Sequence, residues 1–260
     1  MRNTPSVPRG RRVFRRLGRT AIAILAVLVL LVVGFLVYAN MVMRGERPAA
    51  IDVWTNGAIK VVSTDHSIIM SPTSPGPDAG TGLVFIPGAK VDPYGYMFKL
   101  SGIVESEGVT VVITKPTLNL AFFDFRPIST FTDDAPAVSR WFVGGHSLGG
   151  VRACQLADPA VTHDPKIAGL VLFGSFCAND LSGTSLHVLS ISGSDDGLST
   201  PDKIVSAAPL LPGDAVFTQV KGANHASFGN YGIQPGDGTA SISSADMRSE
   251  ITRALTKFFG

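Results

Sequence analysis

The stretch WFVGGHSLGGVRACQLA, residues 141–157, runs from an apolar segment through four glycines and one serine into a second segment with helix-forming character. Glycine loses more freedom on ordering than any other residue, so a cluster of this kind marks backbone that turns tightly or is approached closely. Gly145-His146-Ser147-Leu148-Gly149 fits G-x-S-x-G, with the strand-like WFV before it and the helix-like VRACQLA after it. A strand-turn-helix of this type lifts the serine Oγ out of the turn, and small residues two before and two after leave room for neighbouring backbone. A glycine-rich loop with an incidental serine is the bland alternative, and the flanking elements argue against it. Ser147 is the candidate nucleophile.

A serine hydroxyl is a poor nucleophile until a base takes its proton. Of the five histidines, His66 precedes the apolar runs of the sheet, His146 is fixed beside the serine, His163 lies in a polar connection and His187 sits just before a strand. His225 alone lies in a loop, GANHASFG, after the last expected strand, where a base can bend back over the sheet edge. A group that holds the imidazole in one tautomer is then needed. Gly193-Ser194-Asp195-Asp196-Gly197 supplies two carboxylates after a strand and between the serine and the histidine in chain order. Asp196 is the candidate and Asp195 the alternative, since an Asp-Gly pair is also ordinary turn chemistry. The negative charge formed on attack requires donors already in place. The Leu148 N–H is one candidate, and the Ala89 N–H in the loop Pro87–Pro93 is the other, with Lys90 next; Pro87 has no N–H to give.

The N-terminal part of the 260-residue chain is of another kind. Residues 1–20 hold seven arginines and no acidic residue, and residues 21–39 carry no charge. At about 1.5 Å per residue, such a run crosses a hydrocarbon core of about 30 Å. The expected organisation is a basic cytoplasmic segment over 1–20, a transmembrane helix (signal anchor) over 21–43, a linker over 44–50 and one domain over 51–260. Seven arginines face only Arg44 and Arg47 on the far flank, which places the domain outside the cytoplasm. A cleaved signal peptide ending near Val37-Tyr38-Ala39 is the rival reading, against which stands the length of the apolar run.

Seven of the 22 basic residues lie in that first segment, which leaves 15 against 20 acidic ones, about −5, for the remainder. No basic patch is left for nucleic acid, so no nucleic-acid partner is expected. The two cysteines, Cys154 and Cys177, match no zinc spacing. One disulfide and two separately buried thiols both remain open readings.

From residue 51 onward, short β-rich runs alternate with helix-length segments, which favours a mostly parallel sheet covered on both faces. Runs near 51–54, 59–63 and 67–70 suggest a leading antiparallel ribbon. Further strands are expected at 82–86, 109–114, 141–144, 168–173, 188–192 and 215–220. Helices are expected near 93–107, 136–140, 148–156, 201–207 and 244–259, the last capped by Ser244.

With Ser147, Asp196 and His225 in this order, the chain resembles the α/β-hydrolase superfamily. FIPGAKVDP (85–93), LNLAFFD (118–124), GGHSLGG, ISGSDDGL (191–198) and GANHASFGNYG (222–232) are similar to the small α/β-hydrolase fold-5 group, related to dienelactone hydrolases. The resemblance covers roughly residues 50–260. It implies a central sheet flanked by helices and a serine-hydrolase triad with no cofactor and no metal. Dienelactone hydrolases are known for a cysteine nucleophile where this chain has Ser147, so lactone specificity does not carry over. Only GSFCANDLSGTSLH separates the strands ending at Phe173 and beginning at Val188, which excludes a large cap there. The expected function is hydrolysis of small-molecule carboxylic esters, thioesters included, by a membrane-anchored enzyme. Lys90, Tyr94, Phe122 and Phe228 are candidate substrate-binding residues, with Phe123 and Leu198 beside them. Acyl transfer to a cell-envelope acceptor and a non-catalytic scaffold on the same fold are the alternatives. Oligomeric state is not readable from the sequence.

Overall fold

The computed structural model describes residues 9–163 and 167–260, with side chains from Leu17 onward. Residues 1–8 of the expected basic segment lie outside the described residues. The chain divides after Met41 into two compact units.

Among the described residues the first unit contains one helix, α1 (Arg9–Ala39). Its Leu17–Ala39 portion, 23 residues with mean hydropathy 3.1, is long and apolar enough to cross a membrane. The apolar helix thus starts before and stops short of the expected 21–43.

The second unit begins at Val42, so the expected linker 44–50 belongs to the folded body. Met43 pairs with Val91, the Gly45 N–H bonds Asp92 Oδ2 at 3.2 Å, and the Glu46 N–H bonds the Asn230 carbonyl at 2.8 Å. The order from there is α2 (Arg47–Trp54), β1 (Ile59–Ser63), β2 (Ser67–Pro72), β3 (Thr81–Ile86), α3 (Met97–Glu107), β4 (Thr110–Thr114), α4 (Ser129–Thr132) and β5 (Arg140–His146). It continues with α5 (Leu148–Ala157), β6 (Ile167–Phe173), β7 (His187–Gly193), α6 (Pro201–Ala207), β8 (Val216–Val220) and α7 (Ser244–Phe259). The strands form one eight-stranded sheet in the order β1-β2-β4-β3-β5-β6-β7-β8. β2 is antiparallel to both its neighbours, and every other pair is parallel.

Alternation along the strands splits the interior into two cores, because successive side chains point to opposite faces. Leu83 and Phe85 of β3, Phe142 of β5 and Val171 and Phe173 of β6 join α3 and α7 on one face. Val84, Ile86, Val143, Leu170 and Leu172 join Ala153, Cys154 and Leu156 of α5 on the other. Each fully buried Leu, Val or Phe contributes roughly 1.5–3 kcal/mol by leaving water. The central strands are apolar on both faces for this reason, which is why they read as continuous runs.

Three local expectations are corrected. Residues 51–54 are the end of helix α2 and not a strand: Pro48 occupies the first turn, where its fixed φ favours a helix start, and Val53 is buried from the helix. Residues 136–140 form no helix; the Ser139 and Arg140 N–H groups both turn to the Gly80 carbonyl instead of to carbonyls of their own segment. The cap of α7 is Ser243, whose Oγ accepts from the Asp246 N–H at 3.1 Å, while Ser244 Oγ accepts instead from the buried Lys99 ammonium at 2.6 Å. Burial lowers the Lys99 pKa to about 8, with Glu46 opposing the shift.

Cys154 on α5 and Cys177 after β6 are joined in a disulfide, both half-cystines being buried. It closes a loop of sequence separation 23, for which chain-entropy reasoning gives about 3 kcal/mol. Replacing both cysteines by alanine is expected to lower the urea unfolding free energy by about 2–4 kcal/mol, the loss shared by the reduced wild type.

Candidate active site

The sheet places the site. β5 ends at His146, hydrogen-bonded on one side to β3 and on the other to β6, and α5 starts at Leu148. Ser147 is the single residue between them, with φ 52° and ψ −125°. A non-glycine residue in such a region costs about 1–3 kcal/mol and persists only where its surroundings impose it. Here they do. A Cβ on Gly145 would lie 2.5 Å from the Gly149 backbone, and one on Gly149 would lie 2.1 Å from the Ile86 carbonyl oxygen, so the turn closes only with glycine at both places. The Ser147 N–H bonds the Phe173 carbonyl at 3.1 Å, and its carbonyl accepts from Ser175 Oγ at 2.7 Å, which fixes the backbone on both sides of the residue.

His225 opens a 3-10 turn over His225–Phe228 after β8. Asn224 caps the turn: its Oδ1 accepts from the Ser227 N–H at 2.9 Å, and Ser227 Oγ accepts in return from the Asn224 N–H at 3.1 Å. His225 Nδ1 lies 2.8 Å from Asp196 Oδ2, and both side chains are fully buried. The other Asp196 oxygen accepts from the N–H groups of Leu198 at 2.8 Å and Ser199 at 2.7 Å. The carboxylate is thereby held with one oxygen committed to the loop and one to the imidazole. Asp195 is exposed and accepts only from its neighbour Ser194 Oγ among the described side chains. The geometry therefore selects Asp196 of the two as the partner of His225.

The His225 ring lies against the His146 ring, centroids 4.4 Å apart, at the level of the turn that carries Ser147. Its Nε2 is buried and has no hydrogen-bond partner among the described residues, Ser147 Oγ included. Ser147 itself is half-buried.

Of the two candidates for the second backbone donor, Lys90 is excluded, since its N–H is used by the Asn119 carbonyl at 2.8 Å. Ala89 is half-buried beside it. Leu148 is the first residue of α5, where an N–H has no intrahelical acceptor and the helix dipole favours negative charge.

The expected substrate-binding residues separate. Phe228 is fully buried against Phe173 and His146 and forms packing beneath the site, so it is removed from the wall. Tyr94 bonds Ser63 Oγ at 2.9 Å and lines a hollow with Arg44, Ile51 and Trp54. Phe122 and Phe123, 40% and 42% exposed, stand on a turn that packs against α5. The connection 174–186 between β6 and β7 holds turns and no helix.

Sequence reasoning missed Asp237. Its Oδ1 accepts from the His225 and Gly197 N–H groups at 3.0 and 3.2 Å, and its Oδ2 from the Ala226 N–H at 2.8 Å. One carboxylate thus braces the histidine loop against the loop of Asp196. The only signal was its place between two glycines in QPGDGT, which reads as a turn. Tyr96 was also missed; its hydroxyl lies 2.9 Å from His146 Nδ1.

The sequence profile of the alpha/beta hydrolase family matches residues 82–249, a span that runs from the second residue of β3 past β8 and holds Ser147, Asp196, His225 and Asp237. No curated protein sequence matches at a significant level. Among solved structures, carboxyl esterase 2 of the fungus Tuber melanosporum superposes with a TM-score of 0.58 at 12% identity, over 84% of this chain and 92% of that one. A thermostable esterase of Pseudomonas putida gives 0.56 at 13%, over 82% and 86%. A dienelactone hydrolase-like phosphotriesterase from metagenomic libraries gives 0.50 at 16%, over 78% and all of that chain. At these identities the likeness is one of fold. By the profile and the strand order together, the chain belongs to the alpha/beta hydrolase family.

Proposed function

We propose that the protein is a serine hydrolase of carboxylic esters, thioesters included, with Ser147 as nucleophile, His225 as general base and Asp196 as its orienting acid. The observation that carries this reading is the buried 2.8 Å contact between His225 Nδ1 and Asp196 Oδ2 beside the strained turn of Ser147. With Nδ1–H given to the carboxylate, Nε2 is left as the basic nitrogen. It takes the Ser147 proton as Oγ attacks the ester carbonyl, and Asp196 stabilises the imidazolium that results. The Leu148 and Ala89 N–H groups receive the oxyanion. Collapse of the tetrahedral intermediate expels the alcohol with the proton from His225 and leaves Ser147 acylated. Water, deprotonated by the same nitrogen, then releases the acid. Similarity to the Tuber and Pseudomonas esterases supports an ester as substrate.

Lys90, Phe122 and Phe123 border the approach, the aromatic pair offering an apolar wall to the acyl group. The enzyme is anchored by α1 with its hydrolase domain outside the cytoplasm. The arginine asymmetry across the apolar run supports this sidedness, and a buried disulfide suits an oxidising compartment.

Turnover of short p-nitrophenyl esters by the detergent-solubilised chain is expected, with Ser147→Ala lowering it at least about a thousandfold and Asp196→Asn at least about a hundredfold. A folded wild type without turnover, or a Ser147→Ala variant that keeps it, speaks for a scaffold. Phe122→Ala is expected to reduce kcat/KM for an octanoyl ester by about fivefold relative to an acetyl ester, as lost apolar contact along the chain requires. A reporter active only outside the cytoplasm, fused after Gly260, is expected to function; activity of a cytoplasm-only reporter at the same point contradicts the orientation.

A further inference from the structure

Tyr96 is fully buried beneath the site. Its hydroxyl accepts from the Gly88 N–H at 3.0 Å and lies 2.9 Å from His146 Nδ1. Gly88 is the residue before Ala89, and His146 is the residue before Ser147. One phenolic oxygen therefore joins the loop that carries one proposed oxyanion donor to the turn that carries the other. The approach is close on every side: a Cβ on Gly88 would lie 2.9 Å from His146 Nδ1 and 3.2 Å from the Tyr96 oxygen.

The proton positions are assigned by giving the Tyr96 proton an acceptor, which puts the ring proton of His146 on Nε2, a buried atom with no hydrogen-bond partner among the described residues. The Tyr96 oxygen receives one hydrogen from Gly88 and has one of its own to give. His146 has its pKa lowered well below the usual histidine value, first by burial and then by the charge of His225, with the His225 backbone working the other way. A neutral His146 has one bare nitrogen, and Nδ1 facing the phenol is that nitrogen if the Tyr96 proton is to have an acceptor. Burial raises the Tyr96 pKa, so the hydroxyl keeps its proton. The chain of donors then runs in one direction, from Gly88 N–H to Tyr96 to His146.

We propose that the Tyr96 hydroxyl is a positioning group for the hydrolase reaction. It sets the spacing between the Ala89 and Leu148 N–H groups and holds His146 neutral against the His225 ring. The proposal rests on the serine-hydrolase reading above. Its consequence is selective. A donor pair at fixed separation matters most for the tetrahedral geometry in which the oxygen carries charge, and much less for the planar ester. A neutral ring 4.4 Å from His225 also leaves the imidazolium formed during attack unopposed.

The test is Tyr96→Phe in the detergent-solubilised full chain. It keeps the ring packed on Phe85 and removes only the oxygen. Three quantities are compared with wild type: kcat and KM for a p-nitrophenyl ester, the rate of Ser147 labelling by a fluorophosphonate, and the affinity for an arylboronic acid. The boronic acid mimics the tetrahedral state as Ser147 Oγ adds to boron and His225 takes its proton. Expected are a fall in kcat of about tenfold or more, a parallel loss of boronate affinity and slower labelling, with KM within about twofold. Tyr231→Phe, whose hydroxyl bonds Gln234 instead, is the control for loss of a nearby phenol and is expected to leave all three within about twofold. Should Tyr96→Phe not fold, His146→Phe removes the acceptor of the Tyr96 proton while keeping a ring, and the same parallel loss is expected. Unchanged kcat and boronate affinity, or a change confined to KM, overturns the proposal. Absence of labelling and turnover in the wild type instead overturns the hydrolase reading on which it rests.

Discussion

The backbone of Ser147 is held at a positive φ that a side chain ordinarily avoids, and the rest of the site is arranged around keeping it there. The chain must reverse from the end of β5 into α5 within one residue. That reversal is possible only because Gly145 and Gly149 let the turn close on itself and on the carbonyl of Ile86. The strain of about 1–3 kcal/mol is small against the burial of the two cores that fix β5 and α5, so the fold imposes the conformation on the residue. What the turn gains is a half-buried serine at the start of a helix, where unpaired N–H groups favour negative charge.

The second constraint is that the proposed partners of Ser147 arrive on loops, each of which needs its own restraint. Asp196 is fixed by two backbone N–H groups, His225 by a capped 3-10 turn, and Asp237 ties the two loops together by bonding N–H groups of both. Met43 and Glu46, just beyond the apolar helix, extend the same stitching to Lys90 and Asn230. Precision at the site therefore comes from carboxylates and carbonyls aimed at loop backbone, on a sheet that contributes only strand ends.

Much of this was legible in the sequence, and the residues show why. The continuous apolar runs of β3, β5, β6 and β7 reflect burial on both faces, and the glycines of the turn reflect close approach, both of which leave a local signature. Helix α6 was readable to the residue from Pro201. What failed were short elements whose state is decided by distant partners. Residues 51–54 are β-branched and aromatic enough to suggest a strand, yet Pro48 and the packing of Val53 make them helical. The cap of α7 moved by one residue because Lys99, 145 positions away, claims Ser244. Phe228 had the composition of a substrate wall, and only its tertiary contacts with Phe173 and His146 show it to be core. Asp237 and Tyr96 were invisible for the same reason: a carboxylate in a glycine-flanked turn and a tyrosine in a helix start carry no mark of what they bond.

The central chemical claim is that an acyl group passes through Ser147. Acid-quenched mixtures of the full chain with a slowly hydrolysed ester, analysed by mass spectrometry of proteolytic fragments, address it most directly. An added mass equal to the acyl group on the fragment containing Ser147, appearing within one turnover and decaying as acid is released, is the expected result. Ester turnover with no such adduct, or with the adduct on another residue, would contradict it.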